Sequence, residues 1–121
     1  ELGDALRSWC NPQGEDQSNT RFSLENLTGA VGGYAESSNG FISAAEIEAI
    51  VPATQTIYTE LAARFCADAL RESYFAWNPK QFDSHAAHNI TRARGQLNAA
   101  RDLAAKREQA LTIVRGAFAA A

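Results

Sequence analysis

His85 and His88 are the residues whose type and spacing come nearest to a chemical site in this sequence. They stand three apart at the start of an alanine-rich stretch with Asp83 just before them, so one helical turn could aim two imidazoles and a carboxylate at one cation. A metal site of this kind asks for a further His or Cys pair, and none follows. The plainer expectation is one exposed histidine and one that caps or orients the helix. Cys10 and Cys66 lie far apart, with no C-x-x-C or Cys/His spacing around them. Each falls in an apolar stretch where free cysteine behaves as a small buried hydrophobe, so two reduced core thiols of a cytosolic protein are expected. A single disulfide between them stays open. No G-x-S-x-G elbow, H-E-x-x-H or G-x-x-x-x-G-K is present, and Gly29, Gly32 and Gly33 do not follow a strand. Residue types alone therefore assign no catalytic residue and no metal site.

The elements that would position any site are helices. The 121 residues are 45% apolar and 21% charged, which is ordinary for one globular domain, residues 1–121. No apolar run approaches the length of a membrane helix, and no basic-then-apolar leader opens the chain, so a cytoplasmic protein without a membrane partner is expected. The chain begins on Glu1, which suggests processing or a fragment. Residues 1–91 carry five Lys/Arg against twelve Asp/Glu, whereas residues 92–121 carry six against two. The basic residues of the second segment alternate with alanine at helical spacing, as a solvated face does. Together with a pI near 5.3, this argues against nucleic acid as a partner.

There are almost no strand signals, and the reading is all-α, a bundle of about five helices. Leu2 to Cys10 forms a short amphipathic helix with Leu2, Ala5, Leu6 and Trp9 on one side. Asn11 to Thr20 is a polar loop, expected to be partly mobile. Ser23 caps a helix over 24–36 whose face is Leu27, Val31 and Tyr34; its glycines would let another helix approach, and the Ser37–Gly40 stretch ends it. Ser43 and Glu46 form a capping box, with Phe41 as its hydrophobic staple. Pro52 allows a new helix start. The next helix, 53–74, carries the stripe Ile57, Leu61, Phe65 and Ala69, widened by Tyr58, Ala62, Cys66 and Leu70. An aromatic loop over 75–84 leads to a last helix, 85–118, bent near Gly95 or Asp102. Its Ile90, Leu97, Ala104, Leu111 and Phe118 recur every seven residues, a weak heptad that leaves a homodimer open.

Several strings carry a resemblance. Leu2-Gly3-Asp4-Ala5-Leu6-Arg7, the acidic Gly14-Glu15-Asp16, Glu60-Leu61-Ala62-Ala63-Arg64-Phe65-Cys66-Ala67-Asp68, Tyr74-Phe75, and the run from His88 to Leu97 occur in that order. Together they resemble the C-terminal helical part of bacterial phosphotransferases similar to aminoglycoside kinases and N-acetylhexosamine 1-kinases. The resemblance spans about residues 2–97. It implies the helical end of a kinase-like C-lobe, on the acceptor side of the cleft, with ATP and magnesium used by the parent protein. The nucleotide-covering loop, β-strand lysine, catalytic aspartate and metal-binding aspartate of such enzymes are not in this sequence, so these 121 residues alone are expected to be inactive.

What the resemblance implies for residues is specific. Arg64, Tyr74 and Asp68 would lie on the acceptor side, Arg64 holding hydroxyls with its guanidinium fork. Asp4 would brace the catalytic loop. His88, Asn89 and Arg92 would fix the last helix against the others. The partners implied are the N-terminal kinase-like portion and a small-molecule acceptor. The alternative is a stand-alone helical interaction module that uses the last helix and the Trp9 and Trp77 aromatics as a binding surface.

Overall fold

The computed structural model describes every residue except Asn39. The described residues form five helices, α1 (Leu2–Trp9), α2 (Leu24–Ser38), α3 (Ala44–Arg71), α4 (His85–Ala105) and α5 (Arg107–Ala120), and no strand. The all-α bundle is as expected, but the count of five arises from a different division. α3 runs unbroken through Pro52, and the expected single last helix is two. The stop expected over Ser37–Gly40 includes Asn39, which lies outside the described residues; α2 reaches Ser38.

Pro52 cannot donate to the carbonyl four residues before it, a defect of about 3 kcal/mol in a free helix. Burial outweighs local propensity here. Ile50, Val51 and Thr54 flank the proline and are all buried, and Thr54 Oγ1 donates to the Ile50 carbonyl at 2.9 Å. The start of α3 is as the sequence implies. Ser43 Oγ accepts the Glu46 N–H at 3.2 Å and Glu46 Oε2 accepts the Ser43 N–H at 2.8 Å. Phe41 is not the staple, since it is 86% exposed; Ile42 and Ile47 pack against the core instead.

α3 is the central element and packs most extensively on α4, with α1 and α5 on its other sides and α2 laid against α5. One core joins Leu6, Phe22, Val31, Tyr58, Leu103 and Val114. The inward face of α3 is Thr54, Tyr58, Ala62, Phe65 and Asp68, rotated from the expected stripe, so Cys66 and Leu70 face outward. An apolar count could not have chosen a face that contains an aspartate. Cys10 is buried as expected, and desolvation pushes its thiol up to about 12; both cysteines are free. Trp9, expected on the apolar side of α1, is largely exposed. On the last segment the inward residues are Ala93, Ala99, Ala100 and Leu103, then Ala110, Leu111 and Val114; Ile90 and Ala104 of the seven-residue series are exposed.

Side chains at the junction of α4 and α5 hold the chain that enters α2. Asp102 Oδ2 accepts the Phe22 N–H at 2.7 Å, while Lys106 Nζ donates to Phe22 O at 3.0 Å and to Asp102 Oδ2 at 2.7 Å. The two side chains clamp both backbone groups of Phe22 where the chain enters α2. Nor is the 11–20 loop loose. Asn98 Nδ2 donates to Ser18 O at 2.6 Å, Thr20 Oγ1 donates to the Gly95 carbonyl, and a Cβ at Gly95 would run into the Gln17 carbonyl oxygen. Close approach therefore occurs at Gly95, and at Gly3 against Ala53, whereas Gly29, Gly32 and Gly33 have open space around them.

These contacts predict opposite signs for two glycine substitutions. Gly95→Ala should destabilise by about 1–3 kcal/mol through overpacking against the loop. Gly29→Ala should stabilise by about 0.5–1 kcal/mol through helix propensity. Urea unfolding of both variants checks the pair.

Candidate functional site

Asp68 closes α3. Glu72 donates its N–H to the Asp68 carbonyl at 2.7 Å and takes a left-handed conformation, φ 51°, which turns the chain back over the helix end. The Asp68 carboxylate then accepts the N–H groups of Ser73, Tyr74 and Phe75 at 3.0, 2.8 and 3.0 Å, and Asn89 Nδ2 at 2.9 Å. Burial by itself would raise its pKa, but these four donors together outweigh it and hold the carboxyl well below the ordinary range. His85 Nε2 lies 3.1 Å from Asp68 Oδ2 without the alignment a hydrogen bond needs, and its ring stacks on Trp77.

His88 faces a different acid. Its Nε2 is 2.6 Å from Asp16 Oδ1, its Nδ1 accepts the Asn78 N–H at 3.1 Å, and Phe82 stacks on its ring with centroids 3.9 Å apart. Arg92 Nε lies 3.4 Å from the same Asp16 oxygen, and its Nη1 donates to Asn89 Oδ1 at 3.2 Å. The His88 hydrogen bond is the main reason the Asp16 carboxyl lies below its usual value. The grouping of Asp83, His85 and His88 considered from spacing is thus dispersed, with the two imidazoles turned to separate carboxylates. Among the described residues no trio of His, Cys, Asp and Glu is arranged to hold a metal.

Between α1, α3, α4 and the 72–84 loop lies a cavity of about 610 Å³. Its wall includes Asp4, Arg7, Glu15, Glu60, Arg64 and Arg92, over a floor of Ile57, Leu61, Phe65 and Phe75. Each arginine has an acid. Arg7 lies 3.1 Å from Asp4 and 3.2 Å from Glu15, Arg64 lies 3.7 Å from Glu60, and Arg92 reaches Asp16. The Arg7 and Arg92 side chains are only 11% and 13% exposed, whereas Arg64 is 46% exposed. The Arg64 guanidinium also lies over the Tyr74 and Phe75 rings, 5.4 and 5.5 Å from their centroids. A second, smaller pocket of about 280 Å³ adjoins, sharing Arg64 and Phe75 and adding Asp68, Arg71 and Tyr74.

Arg64, Asp68 and Tyr74 therefore meet around one pocket, but their roles differ. Tyr74 is 72% exposed and Arg64 is accessible, while Asp68 is 3% exposed and its carboxylate is spent on the chain that follows it. Asp4 is open to solvent on the cavity rim beside Arg7. Asn89 and Arg92 join α4 to α3 and to the acidic loop, as expected of them. Arg7 and Phe75 were not singled out individually from sequence, though both fall inside the quoted strings. No signal links Asp16 to His88, 72 residues apart.

No protein-family model matches the chain, and no curated protein does.

Asp68 gives this region a pH signature. Its folded pKa lies well below the unfolded value of about 3.9, so the stability it lends is complete above the unfolded value and is lost progressively as pH falls from there through the folded pKa. The Tm difference between the wild type and Asp68→Asn should be large at pH 7 and should shrink toward pH 3, as scanning calorimetry can measure.

Proposed function

We propose that this chain is the acceptor-side helical part of a cytoplasmic, bacterial, ATP-dependent phosphotransferase acting on a sugar or aminoglycoside-like alcohol. One observation carries the reading. The strings that prompted the resemblance lie far apart in sequence, yet each lends a residue to the wall of one cavity: Arg7, Glu15, Arg64, Phe75 and Arg92. An apolar floor beneath a rim of alternating acids and guanidinium groups suits a ring that offers hydroxyls on its edge and carbon on its face. The charge balance supports the same class. Because each arginine is neutralised by a neighbouring carboxylate, the cavity favours a neutral or cationic acceptor over a phosphorylated one.

No magnesium site is built from the described residues, and Asp68 is turned inward. In this reading ATP and magnesium are held by the N-terminal kinase-like portion, and the present residues bind and orient the acceptor. The rival reading, an interaction module, has less support. Trp77 is stacked on His85, and the seven-residue series is broken at Lys106, with Leu111 inside the domain's own core.

Titration of the isotopically labelled chain with N-acetylglucosamine and with kanamycin tests the proposal. NMR signals of Arg64 and Phe75 should shift, and Arg64→Ala should weaken that binding at least about tenfold, or 1.4 kcal/mol. The proposal fails if neither compound moves those signals, or if the reading frame upstream of Glu1 encodes no H-x-D-type loop followed by a metal-binding aspartate.

A further inference from the structure

His88 is 1% exposed and bonds, through its two ring nitrogens, the two irregular segments of the chain that wall the cavity. Its partner on the 11–23 segment is the Asp16 carboxylate, next to the cavity residue Glu15. Its partner on the 72–84 loop is the backbone of Asn78, shortly after the cavity residues Phe75 and Ala76. The two bonds fix the protonation state. A backbone N–H can only donate, so the Nδ1 that accepts from Asn78 is bare, and the ring proton sits on Nε2, where it is donated to Asp16. Phe82 lies flat on the ring and holds it in that plane.

A second proton on this imidazole has one place to go, Nδ1. There it would face the Asn78 N–H, donor against donor, and that bond is lost. The bond to Asp16 moves the other way, because an imidazolium beside a carboxylate is a charge-assisted pair. The charged groups around the ring are Asp16 from the 11–23 segment and Arg92 from α4, which shares Asp16 with it. From α3, Asp68 is engaged by Asn89 and the 73–75 backbone and is not bonded to His88. Protonation thus tightens the bond to one segment and gives up the bond to the other.

We propose that His88 is a pH-sensitive latch beside the cavity, clasping both segments when neutral and, when protonated, keeping the 11–23 segment while releasing the Asn78 turn of the 72–84 loop. The loop beyond Phe75, whose own amide stays with Asp68, then loosens in acid and tightens as the proton leaves. This goes beyond the acceptor-binding reading and does not depend on it, because the latch is read without any ligand.

Imidazole and amide 15N NMR of the whole chain tests the latch directly. At neutral pH the His88 signals should report the Nε2–H tautomer with Nδ1 unprotonated. As His88's own signals titrate, the hydrogen-exchange protection factor of the Asn78 amide should fall roughly tenfold, while that of Thr20 stays unchanged. His85→Gln should leave this response in place, and His88→Gln should abolish its pH dependence. The proposal is overturned if Nδ1 carries the proton at neutral pH, if Asn78 protection stays constant through the His88 titration, or if its loss follows His85 instead. Should His88→Gln fail to fold, the wild-type tautomer and titration decide alone.

Discussion

The buried carboxylate of Asp68 is the constraint on which the remainder of this fold depends. A charge removed from water must be met by donors close at hand, and here three come from consecutive backbone N–H groups of the chain leaving α3. That demand sets where the helix stops and forces the left-handed turn at Glu72. It also lays Tyr74 and Phe75 back over Arg64. Asn89 supplies the fourth donor and, through it, fixes α4 against α3. Glu72 then accepts the Ala86 N–H with its side chain, so the turn that ends one helix helps to start the next.

From Asp68 the polar contacts continue without a gap. Asn89 accepts from Arg92, Arg92 and His88 share Asp16, and His88 accepts from Asn78, which returns the path to the same loop. Further along, Gly95, Asn98 and Asp102 of α4 and Lys106 just after it bond Thr20, Ser18 and Phe22 of the 17–22 segment. One face of α4 thus serves as a polar track that holds an irregular run of chain built of turns and bends. Its own core face is meanwhile assembled from alanines and Leu103, which keeps α4 close to α3. A helix whose core face is mostly alanine is thus anchored by side-chain hydrogen bonds as well as by burial.

Local signals were legible and distant ones were not. The Ser43–Glu46 capping box, the Ser23 cap, the start of the last helix at His85 and the all-α class could be read because each is decided within a turn or two of chain. Pro52 misled because its cost is local while its compensation, the burial of Ile50, Val51 and Thr54, is tertiary. Cys66 and Leu70 misled because apolarity marks a face only if no acid is buried, and Asp68 is. The polar loop was expected to be mobile for lack of aliphatic residues, yet it is tied by carbonyls and by Asp16 to α4 residues some 75 positions away. No spacing rule reaches across such an interval. Of the candidate site, the individual side chains were visible in sequence, but their division into wall and anchor was not.

That division matters for how the cavity can act. Arg7 and Arg92 are nearly buried and each holds a loop acid, so they are scaffold first, two of several ties between the 11–23 segment and the helices. Arg64 differs. Its acid partner is the most distant of the three, its charge rests on aromatic faces, and almost half of its side chain meets solvent. A guanidinium so placed makes no side-chain hydrogen bond among the described residues, and stacking aims it alongside its long ion pair with Glu60. The acids around Arg7 and Arg92 meanwhile cancel the field that would otherwise draw in any passing anion. The cavity is thereby left with one guanidinium fork, charge-balanced by Glu60 but with free donors, over an apolar floor, and selectivity in such a site would come from the direction of its hydrogen bonds rather than from net charge.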